Sequence, residues 1–139
     1  MPSIVINAPP DKVFEAMCDL TRHAKWAKHS IVIEAQQEGP PAVGNTYTSQ
    51  EKNNTPDRLT ITEMVPNELF RFHSRMDRGM GWEFDFTMTA KSDGEGTSVT
   101  RESKITKFPI FMLPMRLMIP LMPSGEKQLL SNMKEDLES

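Results

Sequence analysis

The chain has 139 residues, enough for one domain with a substantial core. Its 16 basic and 19 acidic residues give a formal net charge of -3 without any basic run, which excludes the positive field typical of nucleic-acid-binding proteins. A single cysteine, Cys18, excludes an internal disulfide framework, and with no signal-peptide pattern at the start of the sequence it favours a cytoplasmic location.

The first elements are a short strand and two short helices. Ile4-Val5-Ile6 is a β-branched run, which predicts a strand. A proline pair ends this strand and suits the first turn of a helix, with Asp11 near its N-terminus. Asp19 is predicted to cap a second helix that runs to about Ala27. The buried stripe of the first helix is predicted to contain Val13, Phe14, Met17 and Cys18.

Six further strands are predicted, separated by turn clusters rich in Gly, Pro, Asn and Asp. The clearest period-two alternation runs from Trp82 to Thr89, where aromatic residues and Met alternate with charged residues and Thr. Short turns between consecutive strands favour an antiparallel sheet, one face of which carries the large aromatic side chains. The predicted strands cover residues 31–35, 46–52, 58–65, 69–76, 82–89 and 97–107.

An apolar segment, residues 108–123, follows the last strand and precedes a polar helix predicted from Glu126 to Leu137. Pro114 and Pro120 should break or kink any helix in this segment. Helical spacing divides the apolar side chains of this segment between two faces. The segment is then either part of the core or a lid over an apolar pocket, and the outer face of such a lid would meet a partner. One face contains Phe111, Met112 and Met115, and the other contains Leu113, Leu117 and Leu121.

Fold signatures extend over the whole chain. They lie in residues 4–14, 19–20, 26, 44, 65–72, 82–86 and 96–100. On these residues the chain resembles the START-related, polyketide cyclase and lipid-transport superfamily. The resemblance implies an α+β helix-grip fold, with a curved antiparallel sheet of about seven strands wrapped around a C-terminal helix. It also implies an apolar cavity, because members bind lipids, sterols, polyketides or hormones, and a minority catalyse cyclisation or dehydration.

The first functional hypothesis is a non-enzymatic protein that holds a hydrophobic small molecule within a single domain, residues 1–139. It depends on the concave face of the sheet, which is rich in aromatic residues and Met and poor in convergent polar groups. Two residues of the last strand, Arg101 and Ser103, share its inward parity. The predicted cavity residues are Phe70, Phe72, Trp82, Phe84, Phe86, Met88, Arg101, Ser103, Phe111, Met112 and Met115.

The alternative is an enzyme of the polyketide cyclase or dehydratase type, which needs an acid–base group in the pocket. Glu63, Arg101 and Tyr47 are the candidates. Glu63 shares parity with Leu59 and is predicted to pair with Arg101 inside the cavity, since a buried charge needs a partner. A bulge in a curved sheet would instead turn these side chains towards water.

The remaining polar residues predict no site. His23, His29 and His73 lack metal-ligand spacing and are predicted to be solvated surface residues, so neither a metal nor a cofactor is expected. Arg71 and Arg75 are predicted to form cross-strand charge pairs with Glu83 and Asp85 on the outer face. A third hypothesis is a homodimer or a peripheral membrane contact, made through Leu113, Leu117 and Leu121.

Overall fold

The computed structural model describes residues 3–27, 31–51, 56–76, 82–94, 96–107 and 126–138. These residues form seven strands and three helices in the predicted order, a strand, two short helices, six strands and a terminal helix. The strands are β1 (Ser3–Ile6), β2 (Val32–Ala35), β3 (Thr46–Gln50), β4 (Asp57–Val65), β5 (Leu69–Met76), β6 (Trp82–Asp93) and β7 (Gly96–Lys107). The helices are α1 (Pro10–Cys18), α2 (Leu20–Trp26) and α3 (Glu126–Glu138).

The seven strands form one antiparallel sheet in the order β1-β7-β6-β5-β4-β3-β2. Strands β2 to β7 follow one another as a meander, and β1 joins the far edge beside β7. Helix α3 packs against α2, β1 and β7, while α1 packs on β5 and β6. This arrangement confirms the predicted helix-grip fold.

Local sequence explains both short helices. Pro10 occupies the first turn of α1, where its missing amide hydrogen costs nothing, and Val13 and Met17 are buried on its inner side. Asp19 caps α2 as predicted, because its Oδ1 accepts a hydrogen bond of 3.2 Å from the backbone amide of Thr21. The two helices follow each other closely, and the buried side chains of both lie on the side that faces the core.

The core lies between the inner face of the sheet and the three helices. Alternate residues of neighbouring strands point to it, and cross-strand partners such as Phe70 and Met88 are both fully buried. Leu130 and Met133 of α3 close the core from the other side. The predicted burial of Cys18 is also confirmed.

A bulge in β4 changes the direction of its second half. Ile61 pairs with Phe72, and Glu63 pairs with the next residue, Arg71, so Thr62 is the extra residue on β4. Met64 therefore packs against the core, and Glu63 faces outward. The prediction that Glu63 shares the inner face with Leu59 and pairs with Arg101 is wrong, because the bulge shifts the parity by one residue.

Three side-chain hydrogen bonds hold α3 on α2. Trp26 Nε1 donates to Asp136 Oδ2 over 3.0 Å, and Arg22 Nε donates to the same oxygen over 2.9 Å. Asn132 Nδ2 donates to the backbone carbonyl of Trp26 over 3.0 Å. The two helices are thus joined by hydrogen bonds as well as by apolar packing.

The last turn of α3 also reaches the edge strand β1. Lys134 Nζ donates to the carbonyl of Val5 over 2.8 Å, and Glu138 Oε2 accepts from the amide of Asn7 over 3.3 Å. Lys134 and Glu138 contact each other as well. These bonds satisfy the carbonyl of Val5 in β1 and the amide of Asn7, the residue that follows β1.

The apolar segment 108–123 lies outside the described residues, so everything predicted for this segment stays a prediction. Helix α3 begins at Glu126, the predicted residue, and ends one residue beyond Leu137. Across the parts of the chain that the structure describes, every helix is too short or too polar to span a lipid bilayer.

Candidate ligand-binding site

A cavity of about 150 Å³ lies on the inner face of the sheet, between α2 and strands β2 to β6. Its walls are mainly apolar, and four polar side chains interrupt them. The apolar walls include Leu20, Ile33, Leu59, Phe72, Met76 and Phe86. The polar residues are His23, Ser49, Asp57 and Ser74. A largely apolar concave surface with a few polar groups is the usual composition of a small-molecule site.

His23 contributes an imidazole to this cavity from the middle of α2. The residue is only 4% exposed, and its ring lies 4.8 Å from the Trp26 ring and 5.9 Å from the Phe72 ring, centre to centre. Leu20, His23 and Trp26 recur at intervals of three, so all three lie on the buried stripe of α2. The prediction that His23 is a solvated surface residue is therefore wrong.

The protonation state of His23 follows from its surroundings. Burial, followed by the positive charge of Arg101, lowers the pKa of His23 to about 3, so the ring is neutral at neutral pH. His23 Nε2 lies 2.7 Å from the carbonyl oxygen of Met17. Because a carbonyl oxygen can only accept, Nε2 carries the hydrogen and Nδ1 carries the lone pair.

Two further polar groups line the same cavity from adjacent strands. Asp57 begins β4 and Ser74 lies near the end of β5, and they are 8% and 3% exposed. Both follow the period-two pattern of their strands, since Asp57 shares parity with Leu59 and Ser74 pairs with Leu59 across the sheet. The same parity could have identified both from the sequence.

Arg101 is buried on the inner face of β7, as predicted, with 6% of its surface exposed. Its guanidinium carbon lies 5.1 Å from the centre of the Phe86 ring and 6.0 Å from that of Phe72. Its Nη1 lies 3.9 Å from the sulfur of Met88. The guanidinium thus lies beside the two aromatic rings that form part of the cavity wall.

The structure divides the other predicted cavity residues into groups. Phe72 and Phe86 line the cavity with stacked rings 5.1 Å apart, whereas Phe70 and Met88 are buried in the core. The rings of Trp82 and Phe84 stack on each other 6.1 Å apart and are half-buried. Ser103 pairs with Phe86 but is exposed. Phe111, Met112 and Met115 lie outside the described residues.

The remaining catalytic candidates do not converge on the cavity. Glu63 forms a 2.6 Å ion pair with Arg71 on the outer face. Tyr47 is buried on β3 opposite Leu59, and it borders the surface between α1, α2 and the loop after β2. Of the three candidates, only Arg101 lies next to the cavity wall.

The outer face of the sheet carries a polar groove of about 620 Å³, lined by Thr46, Thr48, Arg58, Thr60, His73 and Arg75 among others. His73 is held between two carboxylates, with Nδ1 2.7 Å from Asp85 and Nε2 2.8 Å from Glu83. Burial lowers the pKa of His73, but the two hydrogen bonds outweigh it, and the pKa lies above its usual value. Glu83 and Asp85, the carboxylates predicted to pair with Arg71 and Arg75, therefore both contact His73. Arg75 does lie opposite Glu83 in the register of β5 and β6.

A metal centre finds no support in the part of the chain that the structure describes. There, no group of three or more His, Cys, Asp or Glu side chains could hold an ion. The two carboxylates around His73, those of Asp85 and Glu83, form hydrogen bonds with its ring nitrogens.

Comparison with known proteins adds a family and a set of folds. The family model for polyketide cyclase / dehydrase and lipid transport matches residues 2–138. No curated protein matches the chain significantly. Solved structures of the same fold include protein TTHA0849 from Thermus thermophilus, with a TM-score of 0.68, 22% identity and coverage of 96% of this chain and 92% of that one.

Two further structures share this fold. Protein CV1439 from Chromobacterium violaceum has a TM-score of 0.63 and 22% identity, with 99% of this chain and 94% of that one covered. The Aha1 dimer from Colwellia psychrerythraea has a TM-score of 0.58 and 20% identity, with coverage of 98% and 92%. At these identities the similarity shows a common fold.

Proposed function

We propose that this chain, which belongs to the polyketide cyclase / dehydrase and lipid transport family, binds an apolar small molecule in the cavity between α2 and the sheet. The observation that carries the proposal is the cavity itself, with apolar walls and a few buried polar groups. Residues 1–139 act in this proposal as a single ligand-binding domain. The cytoplasmic location stays a prediction from the single cysteine, Cys18.

The volume of the cavity limits what it holds. An apolar cavity of about 150 Å³ accepts a molecule of roughly one aromatic ring. A larger ligand would need additional space, to which Phe111, Met112 and Met115 remain the predicted contributors. The proposed occupant of the described cavity is therefore one ring, or one ring of a larger molecule.

An enzymatic function, a cyclase or dehydratase, is the second candidate. It gains one observation, since His23 and Asp57 are ionisable side chains that line the cavity. However, a general base works best with a pKa near the working pH, and the pKa of His23 is lowered to about 3. Binding without catalysis therefore fits the site better. A homodimer or membrane contact through Leu113, Leu117 and Leu121 stays a prediction.

The experiment is a titration of the protein with toluene, followed by NMR of methionine methyl groups. Met76 lines the cavity, so the ring current of a bound toluene should shift its methyl resonance, and the shift should saturate. Met133 is buried in the core on α3 and serves as the internal control. A non-saturating response, or equal shifts at both methyl groups, would count against the proposal.

A pair of variants locates the binding. Ser74→Phe places a ring inside the cavity, whereas Arg75→Phe places the same ring on the exposed outer face of the same strand. We expect Ser74→Phe to abolish toluene binding and Arg75→Phe to retain it. Circular dichroism checks that both variants are folded.

A further inference from the structure

The hydrogen-bonding groups of the cavity specify a chemical class of ligand. We infer that the site selects an aromatic molecule that carries a hydroxyl group, and that His23 Nδ1 accepts the hydrogen bond from this hydroxyl. The inference depends on the proposed function, because it assigns the ligand class of the same cavity.

The carbonyl of Met17 fixes the tautomer of His23. Its oxygen lies 2.7 Å from Nε2 and can only accept, so Nε2 donates, and in a neutral ring Nδ1 can only accept. The buried environment opposes a second proton on the ring, since it lowers the pKa to about 3. A ligand that meets Nδ1 must therefore bring its own hydrogen.

The position of the ring is fixed by packing. Its centre lies 4.8 Å from that of Trp26, and the rings of Phe70 and Phe72 meet it edge-on with centres 6.1 and 5.9 Å away. A side chain held on three sides cannot turn to present another atom without disturbing the core. The ring thus keeps one orientation, with Nε2 on the Met17 carbonyl.

The other polar groups of the cavity agree with this selection. Asp57 offers carboxyl oxygens from β4, and Ser74 and Ser49 offer hydroxyl groups that either donate or accept. A carboxylate ligand would place its lone pairs against the lone pair of Nδ1. A hydroxyl brings the hydrogen that this acceptor needs.

The apolar walls determine the rest of the ligand. Phe72 and Phe86 stack nearly parallel, with an interplanar angle of 21°, and the other apolar residues of the wall are not aromatic. Flat rings pack well against such walls, and the volume of about 150 Å³ admits one of them. Phenol is the simplest molecule that meets all of these conditions.

The test compares phenol with toluene, which has the same shape and the same number of heavy atoms but lacks a donor. Dissociation constants for both are measured by calorimetry on the wild-type protein and on His23→Gln. The glutamine amide can still donate towards the Met17 carbonyl, but the acceptor at the Nδ1 position is lost. We expect this substitution to reduce the ratio of phenol affinity to toluene affinity about ten-fold.

A second variant and a direct measurement complete the test. His23→Asn puts an amide oxygen near the Nδ1 position and should retain more of the phenol preference than His23→Gln. In the wild-type protein, the ¹⁵N resonance of His23 Nδ1 should shift on saturation with phenol and not with toluene. This measurement decides the question even where the glutamine variant fails to fold.

The outcomes separate the two proposals. If toluene binds but His23→Gln leaves the phenol-to-toluene ratio unchanged, the inference is overturned and the proposed function stands. If phenol binds without shifting the Nδ1 resonance, the inference is overturned as well. If neither molecule binds, the proposed function fails, and the inference fails with it.

Discussion

Trp26 Nε1 and Asp136 Oδ2 lie 3.0 Å apart, so a fully buried indole on α2 shares a hydrogen bond with a partly exposed carboxylate on α3. The same oxygen accepts from Arg22. A hydrogen bond to Trp26, opposed by burial and aided by Arg22, holds the pKa of Asp136 below its usual value. The carboxylate therefore stabilises the fold at neutral pH, and this contribution is lost as the pH falls below about 4, through its lowered pKa.

Asp136→Ala should destabilise the protein by about 2–3 kcal/mol at pH 7, because it leaves the buried donor of Trp26 without its acceptor. Urea unfolding followed by tryptophan fluorescence measures the change. Glu135→Ala, at the exposed neighbouring position, is the control and should change the unfolding free energy by less than about 0.5 kcal/mol. Equal effects of the two substitutions would show that the hydrogen bonds of Asp136 to α2 contribute little to the free energy of unfolding.

The stability of the protein should depend on His23 at mildly acid pH. The unfolded chain binds a proton at this histidine below about pH 6.5, whereas the folded protein binds it only near pH 3. Stability should therefore fall by about 1.4 kcal/mol per pH unit as the pH decreases through this window. His23→Gln removes this dependence, so its unfolding free energy should decrease less between about pH 6 and pH 4.5 than that of the wild type. Parallel pH profiles for the two proteins would contradict the burial of a neutral His23.

Arg101→Met should raise the pKa of His23, because the charge of Arg101 is the second cause of its lowering after burial. Methionine keeps the apolar stem beside Phe72 and Phe86, so the fold should be retained. An NMR titration of the His23 ring measures the pKa in both proteins. Lys91→Met removes an exposed positive charge from the adjacent strand β6 and should leave the pKa of His23 unchanged. The same pKa in all three proteins would refute the electrostatic coupling.

Gly96→Ala should destabilise the protein by roughly 1–3 kcal/mol, because a Cβ at this position would lie 2.7 Å from the carbonyl oxygen of Ile6. The oxygen belongs to the backbone of β1, which cannot move without losing its pairing with β7. Thermal unfolding is the measurement, and Ser92→Ala, at an exposed position near the same turn, is the control. An unchanged midpoint in the alanine variant would mean that β1 can shift away from β7 at little cost.

Leu117→Glu and Leu121→Glu test the outer face predicted for the apolar segment. If this face meets a second copy or a lipid surface, both substitutions should abolish the dimer or the vesicle binding and leave the fold intact. Light scattering coupled to size exclusion and vesicle co-sedimentation measure the two properties. A wild-type protein that is monomeric and does not bind vesicles would exclude this interface from the start.

The order of the elements could be predicted because each carries a local pattern. The strand predicted from Trp82 to Thr89 and the cap at Asp19 both depend on near neighbours in the sequence, and both are confirmed. The direction of Glu63 depends instead on one extra residue, Thr62, in β4. The interval of three from Ile61 to Met64 marks this bulge in the sequence, but Val65 keeps the earlier parity, so a strict period of two predicted the wrong face for Glu63.

Strand parity makes the apolar wall of the cavity predictable, and it also marks Asp57 and Ser74, but it says nothing about His23 on α2. Phe72 and Phe86 follow from the parity of β5 and β6. His23 was missed because histidine is usually exposed, and only the interval of three that it shares with Leu20 and Trp26 marks it as buried. The packing that lowers its pKa joins α2 to distant strands, and such a contact has no signature in the local sequence.

The bonds from the last turn of α3 to β1 have a consequence for self-association. An edge strand with open amide and carbonyl groups is a template on which another chain can add a strand. Lys134 and Glu138 already bond the Val5 carbonyl of β1 and the Asn7 amide just beyond it, so an added strand would have to displace them. A truncation before Lys134, or a fusion that unwinds this turn, would spare the cavity residues and still expose β1 to intermolecular pairing. We therefore expect the end of α3 to limit association through β1.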